Sequence, residues 1–385
     1  MSDGARSPAT KRGRDIAVDV ADIWPDYQPT RLIEMPELAR AARVGRVLVK
    51  LESERPLGNF KALGGMVASL RALARLTGVT RLSQLRGAAT AIDRQPGDAN
   101  ERSAGASSGG LHSGQRAHAA RLPPLACASS GNHGLSVAAA ARWVGTQATV
   151  FMAESANPAR AARIETLGAR VVWTPGTYDD AVDQAAESDG FLIADTSPDP
   201  DDPVVRDVLE GYQLICRELA VQLGNDSEQC PTHLFVQAGV GGLAAALTAG
   251  LRKSMRASRR VIVVEPESAA CVSLALAAGR PVHIPGSLHT RAEMLACALA
   301  SAPALKILRD HGAGSVWVSE ALLQQATTQL GLSTTASGAA GLAGLLHVSS
   351  NADLRELHQL TEDSCVLFIV TEGAVPSTST NFGTS

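Results

Sequence analysis

The sequence has little net charge, no Cys-x-x-Cys motif and no apolar run of membrane-spanning length. The formal net charge is only −3 over 385 residues, so no strong field favours binding to nucleic acid or to an anionic membrane. The six cysteines contain no Cys-x-x-Cys pair, which predicts buried or free thiols in a reducing compartment rather than a disulfide framework. No apolar stretch reaches membrane-spanning length, and the polar, basic segment from Met1 to Asp15 lacks the apolar core of a secretory signal. These absences favour a cytoplasmic protein.

Length and composition are those of a folded globular protein. Hydrophobic residues make up 45% of the chain and charged residues 19%, and 385 residues suffice for two domains with sizeable cores. Residues 86–122 depart from this balance, because they are rich in Gly, Ser, Ala and Arg and have few large apolar residues. That composition predicts a mobile loop or insertion, and it favours a passive insertion over a lid on an active site. Residues 1–15 and 376–385 are expected to be polar tails.

Strand and helix patterns alternate along the rest of the chain. Between residues 123 and 199, short apolar runs alternate with helical patterns, which predicts a smaller α/β domain around a parallel sheet. Residues 16–85 and 200–375 are expected to form a larger domain, with the continuous apolar run Cys365 to Val370 as a central strand. Residues 32–42 show the apolar spacing of a helix. The pattern predicts an α/β fold whose sheets are covered on both faces.

A lysine stands where a predicted strand gives way to a predicted helix. An apolar run ends at Leu51, and the stretch from Pro56 to Gly65 places Lys61 at the start of a helix predicted from Ala62 to Leu76. Because its neighbours are apolar, we expect the Lys61 ammonium to be partly desolvated and its pKa to be lowered. A lysine that is neutral part of the time can form a Schiff base with an aldehyde cofactor. A solvated lysine in the first helical turn is the alternative.

Two small-residue loops also lie between a strand and a helix. Residues 128–134 (ASSGNHG) open a helix predicted from Leu135 to Val144, and such a loop offers free N–H groups to an anion. Residues 239–243 (GVGGL) follow a strand predicted from His233 to Gln237. Glycines let the backbone approach a phosphate closely, but a glycine cluster also occurs in simple tight turns.

In this order the motifs resemble the fold-type II pyridoxal-phosphate enzymes, the family of tryptophan synthase β and threonine dehydratase. The resemblance implies two doubly wound three-layer α/β domains with pyridoxal phosphate between them, and a homodimer. Within the family, the nearest resemblance is to the diaminopropionate ammonia-lyases. It is carried by Tyr27 to Leu32, Lys50 to Ser53, the lysine motif, Ser130 to Gly134, Ile193 to Thr196, Gln237 to Gly242, Val264 to Pro266 and Val370 to Gly373.

The resemblance implies a role for each motif. Lys61 would carry the cofactor and move protons, the Thr371 hydroxyl would face the pyridine nitrogen, and Asp195 would steer or protonate a leaving amine. His133 has no proton-transfer task in this scheme and is interpreted as packing its loop. The plainer alternatives are a strand-end cap for Thr371, a solvent-exposed acid for Asp195 and a core residue for Phe60. The remaining cofactor contacts would be Phe60, Asn132, Gly239, Val240, Gly241, Gly242 and Leu243, and the substrate carboxylate would bind at Ser129, Ser130 and Gly131.

Three positions depart from the ammonia-lyase pattern. Ser130 replaces the aspartate that directly precedes G-N-H-G, residues 336–341 lack the glutamate of the family, and Ala374 replaces an acid that often follows T-E-G. These departures leave the cofactor site intact, but they bear on the choice of substrate.

The resemblance implies a pyridoxal-phosphate-dependent carbon–nitrogen lyase that removes a β-substituent and the α-amine from a small amino acid. The first candidate substrate is 2,3-diaminopropionate, which would give pyruvate and two molecules of ammonia. Serine or threonine dehydration and a biosynthetic β-replacement are the alternative reactions. A catalytically silent homologue that only binds the cofactor is the alternative outside enzymes. No metal, nucleic acid or membrane is expected as a partner.

Overall fold

The structure is a computed structural model that describes residues 16–19, 23–24, 26–90, 122–224 and 230–374. Residues 91–121, which form most of the predicted insertion, and both predicted tails lie outside this set. The first residues of that predicted insertion continue a helix that begins at Leu82 and ends at Thr90. Within the described ranges, no helix is long and apolar enough to cross a membrane.

The described residues form two sheets. The larger contains β1 (Leu32–Glu34), β2 (Arg46–Leu51), β7 (His233–Gln237), β8 (Arg260–Pro266), β9 (Gly314–Val318) and β10 (Cys365–Val370), and the smaller contains β3 (Leu125–Ala128), β4 (Ala148–Ala153), β5 (Arg170–Thr174) and β6 (Phe191–Leu192). Their strand orders are β1-β2-β10-β7-β8-β9 and β5-β4-β3-β6. Only β1, at an edge, runs antiparallel to its neighbour. Parallel strands bring their carboxyl ends to one edge of each sheet.

Helices connect the strands and cover the sheets. They are α1 (Pro36–Ala42), α2 (Lys61–Thr77), α3 (Leu82–Thr90), α4 (Asn132–Val144), α5 (Pro158–Glu165), α6 (Tyr178–Ala186), α7 (Pro203–Leu223), α8 (Gly242–Gly250), α9 (Cys271–Ala278), α10 (Ala302–Asp310), α11 (Glu320–Leu330), α12 (Ala336–Ser350) and α13 (Ala352–Leu357). The predicted cap of α5 is confirmed, because Asn157 accepts a hydrogen bond from the Ala159 N–H at 2.9 Å and Pro158 is the first helical residue.

The larger sheet is the middle of three layers. Successive side chains of β10 point to opposite faces. Val366, Phe368 and Val370 lie in a core shared with α1, α11 and α12, whereas Leu367 and Ile369 lie in a core shared with α2, α7 and α8. All six residues of β10 are buried, as predicted for a central parallel strand.

The smaller sheet has the same construction. Cys127 and Val150 face the core that includes α4 and α5. Ala126 and Phe151 face a separate core that includes Ala181 of α6. The predicted α/β class with two doubly wound three-layer units is therefore confirmed, while the predicted domain boundaries remain a prediction.

Helix α2, which begins at Lys61, packs closely against α7 because both helices carry a glycine at their contact. A Cβ atom added to Gly211 would lie 2.7 Å from the Cα atom of Gly64, and one added to Gly64 would lie 2.5 Å from the Tyr212 ring. No side chain fits in either space. This close packing fixes the start of α2, and with it the backbone of Lys61.

A buried charge network joins two of the segments that carry the family resemblance, Tyr27 to Leu32 and Lys50 to Ser53. Both segments precede Lys61 in the sequence. Lys50 donates to Glu218 on α7 at 2.6 Å and to the Thr30 carbonyl at 2.7 Å. Arg55 forms ion pairs with Glu52 and Glu218, both at 2.6 Å. Two cations and two carboxylates therefore balance in the interior, and the network ties the chain just before Lys61 to α7.

Two element predictions differ from the structure. Residues 32–42 were predicted as one helix, but Leu32–Glu34 pairs with β2 as a strand and α1 begins only at Pro36. Proline favours the first turn of a helix and disfavours helical backbone in the residue before it, which explains the late start. Helix α4 begins at Asn132, three residues before the predicted Leu135, so Asn132 and His133 lie in its first turn.

Candidate active site

One cavity of about 840 Å³, counting the space at its mouth, lies at the carboxyl ends of β3, β7 and β10. Ligands of α/β proteins bind at this edge of the sheet. The cavity is lined by every residue for which the sequence predicts a catalytic, cofactor or substrate contact: Phe60, Lys61, Ser129, Ser130, Gly131, Asn132, Asp195, Gly239, Val240, Gly241, Gly242, Leu243 and Thr371. Residues up to 311 positions apart in the chain thus meet in one place.

Lys61 and Asp195 form an ion pair inside the cavity. Lys61 is the first residue of α2, and its Nζ donates to Asp195 Oδ2 at 2.7 Å. Burial is the largest single influence on the Lys61 pKa and lowers it, but the attraction and hydrogen bond of Asp195 outweigh burial, so the pKa is raised. The prediction of a lowered Lys61 pKa is therefore wrong, because the sequence did not show a carboxylate beside the amine.

Asp195 follows β6 and is only 7% exposed, so it is not a solvent-exposed acid. Burial raises its pKa, but the Lys61 charge lowers it more, and the pKa falls to about 2. The carboxyl group is therefore ionised at neutral pH. In this state Asp195 can orient a cationic amine but has no proton to give.

His133 connects residues 128–134, here called the serine loop, to the segment that carries Asp195. Its Nε2 lies 2.7 Å from the Ile193 carbonyl oxygen, and its ring is 2% exposed. Burial lowers the pKa of His133, so the neutral ring donates from Nε2 to that carbonyl. This contact is consistent with the interpretation that His133 packs the loop.

The serine loop is held by its own hydroxyl group. Ser129 Oγ accepts hydrogen bonds from the Gly131 N–H at 2.9 Å and the Gly134 N–H at 2.8 Å. Gly131 has φ of 147°, a value that favours glycine, and a Cβ there would lie 2.8 Å from the Arg160 side chain. The N–H groups in the first turn of α4 have no carbonyl partner within the helix, and they border the cavity.

The glycine loop, residues 239–243, forms a cradle in which Gly239 has no space for a side chain. A Cβ atom at Gly239 would lie 2.9 Å from Cys297 Sγ and 3.1 Å from the Met294 carbonyl oxygen. Gly241 has φ of 96° and precedes α8, whose first residue is Gly242. The backbone N–H groups at this positive helix end suit a phosphate. The cradle, the lysine and the Thr371 hydroxyl therefore fit pyridoxal phosphate by their donor chemistry.

Aromatic side chains close one wall of the cavity. The Phe60 and Tyr212 rings lie 5.0 Å apart at an angle of 56°. Phe60 is both a cavity wall and a neighbour of the core, so the two alternatives from the sequence coincide. Tyr178 lines the same space, and burial raises its pKa well above the ordinary value.

Glu372 is a cavity residue that the sequence analysis left without a role. It is 3% exposed and accepts hydrogen bonds from Asn132 Nδ2 and Thr335 Oγ1. Arg160 is 3.6 Å from it and balances its charge. Asn132, the predicted contact to the cofactor, is thus oriented by a buried carboxylate. The pattern that would have found Glu372 is an acid two positions beyond a fully buried strand.

Gln237 also lines the cavity without having been predicted as a site residue. It is the last residue of β7, and its Nε2 donates to Thr371 Oγ1 at 3.1 Å. Thr371 is 4% exposed and directly follows β10. Gln237 is the first residue of the segment from Gln237 to Gly242 that carries the family resemblance. Its place in that motif was the signal in the sequence that it could be a site residue.

Fold and site together define an α/β enzyme that holds a phosphorylated aldehyde beside a lysine. The chain belongs to the pyridoxal-phosphate dependent enzymes, and the match to this family covers residues 23–372. The diaminopropionate ammonia-lyase of Salmonella typhimurium is 30% identical over 369 residues, which cover 91% of this chain and 86% of that protein. A probable D-serine dehydratase of Rhizobium etli is 28% identical over 333 residues, which cover 80% and 68% of the two chains.

A solved structure shows the same architecture. The crystal structure of diaminopropionate ammonia-lyase from Escherichia coli in complex with D-serine superposes with a TM-score of 0.74 at 25% identity. The match covers 92% of this chain and 87% of that one.

Proposed function

We propose that this chain is a pyridoxal-phosphate-dependent ammonia-lyase that converts 2,3-diaminopropionate and water into pyruvate and two molecules of ammonia. Its family membership and its 30% identity to a diaminopropionate ammonia-lyase support this reaction class. The observation that carries the proposal is the Lys61–Asp195 pair, at 2.7 Å, inside a cavity that also has the glycine cradle.

The cofactor, when bound, would withdraw electrons from the substrate Cα atom, so that the α-proton and then the β-amine can leave. Lys61 would be the attachment point for the aldehyde and the base for the α-proton. The N–H groups of Gly239 to Leu243 would hold the phosphate, the Thr371 hydroxyl would face the ring nitrogen, and Asn132 would face the phenolic oxygen. Each of these groups lines the cavity.

The substrate is held at two points. Ser129 to Gly131 and the start of α4 offer hydroxyl and N–H groups to its carboxylate. Asp195, which is buried and ionised, faces the β-ammonium group once Lys61 no longer neutralises it. A buried carboxylate without a cation is unfavourable, so this site favours a substrate with a second amine over serine.

The charge of the substrate's second amine would replace that of Lys61 beside Asp195. Burial raises the pKa of Asp195, and Lys61 is the main influence that lowers it. When Lys61 is attached to the cofactor, the β-ammonium group would take over this influence, so Asp195 would stay ionised and orient the leaving amine.

Dehydration of serine or threonine is the second candidate. Ser130 stands where the ammonia-lyases carry an aspartate. The dehydratases and threonine synthases have a serine at this position, as this chain does. The similarity to a probable D-serine dehydratase points in the same direction.

A panel of amino acids scored for 2-oxo acid and ammonia separates these reactions. We expect kcat/KM for 2,3-diaminopropionate to exceed that for serine and threonine. A higher value for either hydroxy amino acid would favour the dehydratase. Turnover only with an added nucleophile would favour β-replacement, and a pyridoxal absorbance without any turnover would favour a silent homologue.

We also propose a cytoplasmic homodimer, an assembly that the family resemblance implies. Light scattering after size-exclusion chromatography tests the subunit count, and a monomer at working concentrations would contradict it.

A further inference from the structure

A buried amide lies at the end of β7, in the wall of the cavity. Gln237 is 3% exposed, and its Nε2 lies 3.0 Å from the carbonyl oxygens of Ser337 and Gly338. The same nitrogen is 3.1 Å from the Ile369 carbonyl oxygen and 3.1 Å from Thr371 Oγ1. Four oxygen atoms from α12, β10 and the residue after β10 therefore surround one end of this side chain.

This environment fixes which end of the amide faces the four oxygens. An amide has a donor NH₂ group and an acceptor oxygen of nearly the same size. Turning the amide would place Oε1 against three carbonyl oxygens, none of which can donate. The NH₂ group must therefore face them, even though Gln237 Oε1 is then buried without a partner.

The fixed amide determines the direction of the Thr371 hydroxyl. Because Gln237 Nε2 can only donate to it, Thr371 Oγ1 is the acceptor in this contact. No other described residue accepts the Thr371 hydroxyl proton. Thr371 lines the cavity, so its proton is left to donate into that space.

We propose that Gln237 is a positioning residue that holds the Thr371 hydroxyl as a hydrogen-bond donor toward the cofactor's ring nitrogen and so keeps that nitrogen unprotonated. The inference rests on the proposed placement of the cofactor. A ring nitrogen that accepts a hydrogen bond cannot also carry a proton at that position. Gln237 thereby acts on the electronic state of the cofactor through the Thr371 hydroxyl.

The chemistry of the side chain explains why glutamine suits this position. A glutamate carboxylate would place negative oxygens against the carbonyl groups, so it would have to be protonated to remain there. A methionine has a similar length but no donor, so the Thr371 hydroxyl would be free to turn toward a carbonyl oxygen and accept from the ring instead.

The test uses the full-length protein loaded with pyridoxal phosphate labelled with nitrogen-15 in the ring, and it measures the nitrogen-15 chemical shift against pH. We expect the wild type to show the shift of an unprotonated, hydrogen-bonded nitrogen across the neutral range. Gln237→Met should show an upfield shift that grows as the pH falls, because the nitrogen gains a proton. Thr371→Val should show the same direction of change.

Gln213→Met is the matched control. Gln213 is a glutamine outside the cavity, whose side-chain amide donates to the Ala246 carbonyl at 2.9 Å. Its variant should keep the wild-type shift. Should Gln237→Met not fold, Gln237→Glu carries the test, because a protonated carboxyl group has one proton to share among four acceptors, and its shift should lie between those of the wild type and Thr371→Val.

The test distinguishes a failure of the proposed function from a failure of the positioning role of Gln237. A wild type that does not bind the cofactor at Lys61 would contradict the proposed function. A wild type that binds it there, while Gln237→Met or Gln237→Glu leaves the nitrogen-15 shift and its pH dependence unchanged, would overturn the positioning role of Gln237 alone. A wild-type nitrogen that is already protonated at neutral pH would overturn it too.

Discussion

Lys61 Nζ lies 2.7 Å from Asp195 Oδ2, and the two side chains bridge the start of α2 and the segment that follows β6. The pair neutralises the charge of a buried carboxylate, Asp195, and that of a partly buried amine, Lys61. It also means that the amine is protonated at neutral pH before the cofactor binds, since Asp195 raises its pKa.

Borohydride reduction should attach the cofactor to Lys61 and to no other lysine. The chain has five lysines, so peptide mapping after reduction gives a clear assignment. Lys61→Ala should lose the label, whereas Lys306→Ala, a change on the surface, should keep it. A label on another lysine, or full turnover by Lys61→Ala, would refute the assignment.

Asp195→Asn should shift the pH dependence of cofactor incorporation to lower pH. Only the neutral amine reacts with an aldehyde, and in the wild type the raised pKa of Lys61 delays its deprotonation to higher pH. Without the carboxylate, burial is the main remaining influence and lowers the pKa. The measurement adds pyridoxal phosphate to the apoenzyme at a series of pH values and follows the rate at which the pyridoxal absorbance increases. Asp179→Asn, at an exposed site, is the control, and identical profiles for wild type and Asp195→Asn would count against the argument.

Much of the architecture could be predicted because apolar runs mark buried parallel strands. The strands His233–Gln237 and Cys365–Val370 were predicted with the bounds that the structure has. The start of α1 was missed because the apolar spacing around Leu32 also fits a helix, and pairing with β2 decides the outcome.

The members of the site could be predicted from motifs, but the contacts between them could not. Lys61 and Asp195 are 134 positions apart, and only the folded chain shows that the carboxylate reverses the expected pKa of the amine. Glu372 and Gln237 were present in the motifs without a role, because their partners come from other parts of the chain.

Substitution of Glu218 should destabilise the protein without altering the cavity. Glu218→Gln leaves Lys50 and Arg55 buried with one carboxylate, Glu52, which should cost about 3–5 kcal/mol in the free energy of unfolding. Urea unfolding measures it, with Glu356→Gln on the surface as the control. A loss no larger than that of the control would contradict a structural role for the network.

The stabilisation that Glu218 provides should depend on pH. Burial raises the pKa of Glu218, but Arg55, Lys50 and Tyr27 outweigh it, so the folded pKa lies below the ordinary 4.5. The ionised form therefore stabilises the fold above that pH, and the stabilisation is lost as the pH falls through the folded pKa. The difference in stability between wild type and Glu218→Gln should shrink in acid. A difference that grows in acid would show that the sign is wrong.

The enzyme should prefer L-2,3-diaminopropionate over the D isomer. Lys61 serves as a base on one face of the substrate, and the resemblance implies that an L-amino acid presents its α-proton there. On the other face the ammonia-lyases have an aspartate, where this chain has Ser130, and no described side chain forms a hydrogen bond with that hydroxyl to activate it. Loss of a general base costs roughly 10²–10⁴-fold, so kcat/KM for L over D should be at least about 10².

Kinetics on the separated isomers check this preference. Ser130→Asp should gain activity on the D isomer while it keeps the cofactor. Comparable rates on both isomers in the wild type would rule out the preference, and Asp195→Asn would then show whether Asp195 serves the second face.

The ratio of ammonia to pyruvate released from 2,3-diaminopropionate tests the proposed reaction most directly. Both amino groups leave the substrate in this reaction, so the purified protein with pyridoxal phosphate should release two molecules of ammonia for each pyruvate, and Lys61→Ala should release neither. One ammonia per pyruvate, or equal amounts of product from Lys61→Ala, would contradict an ammonia-lyase that acts through Lys61.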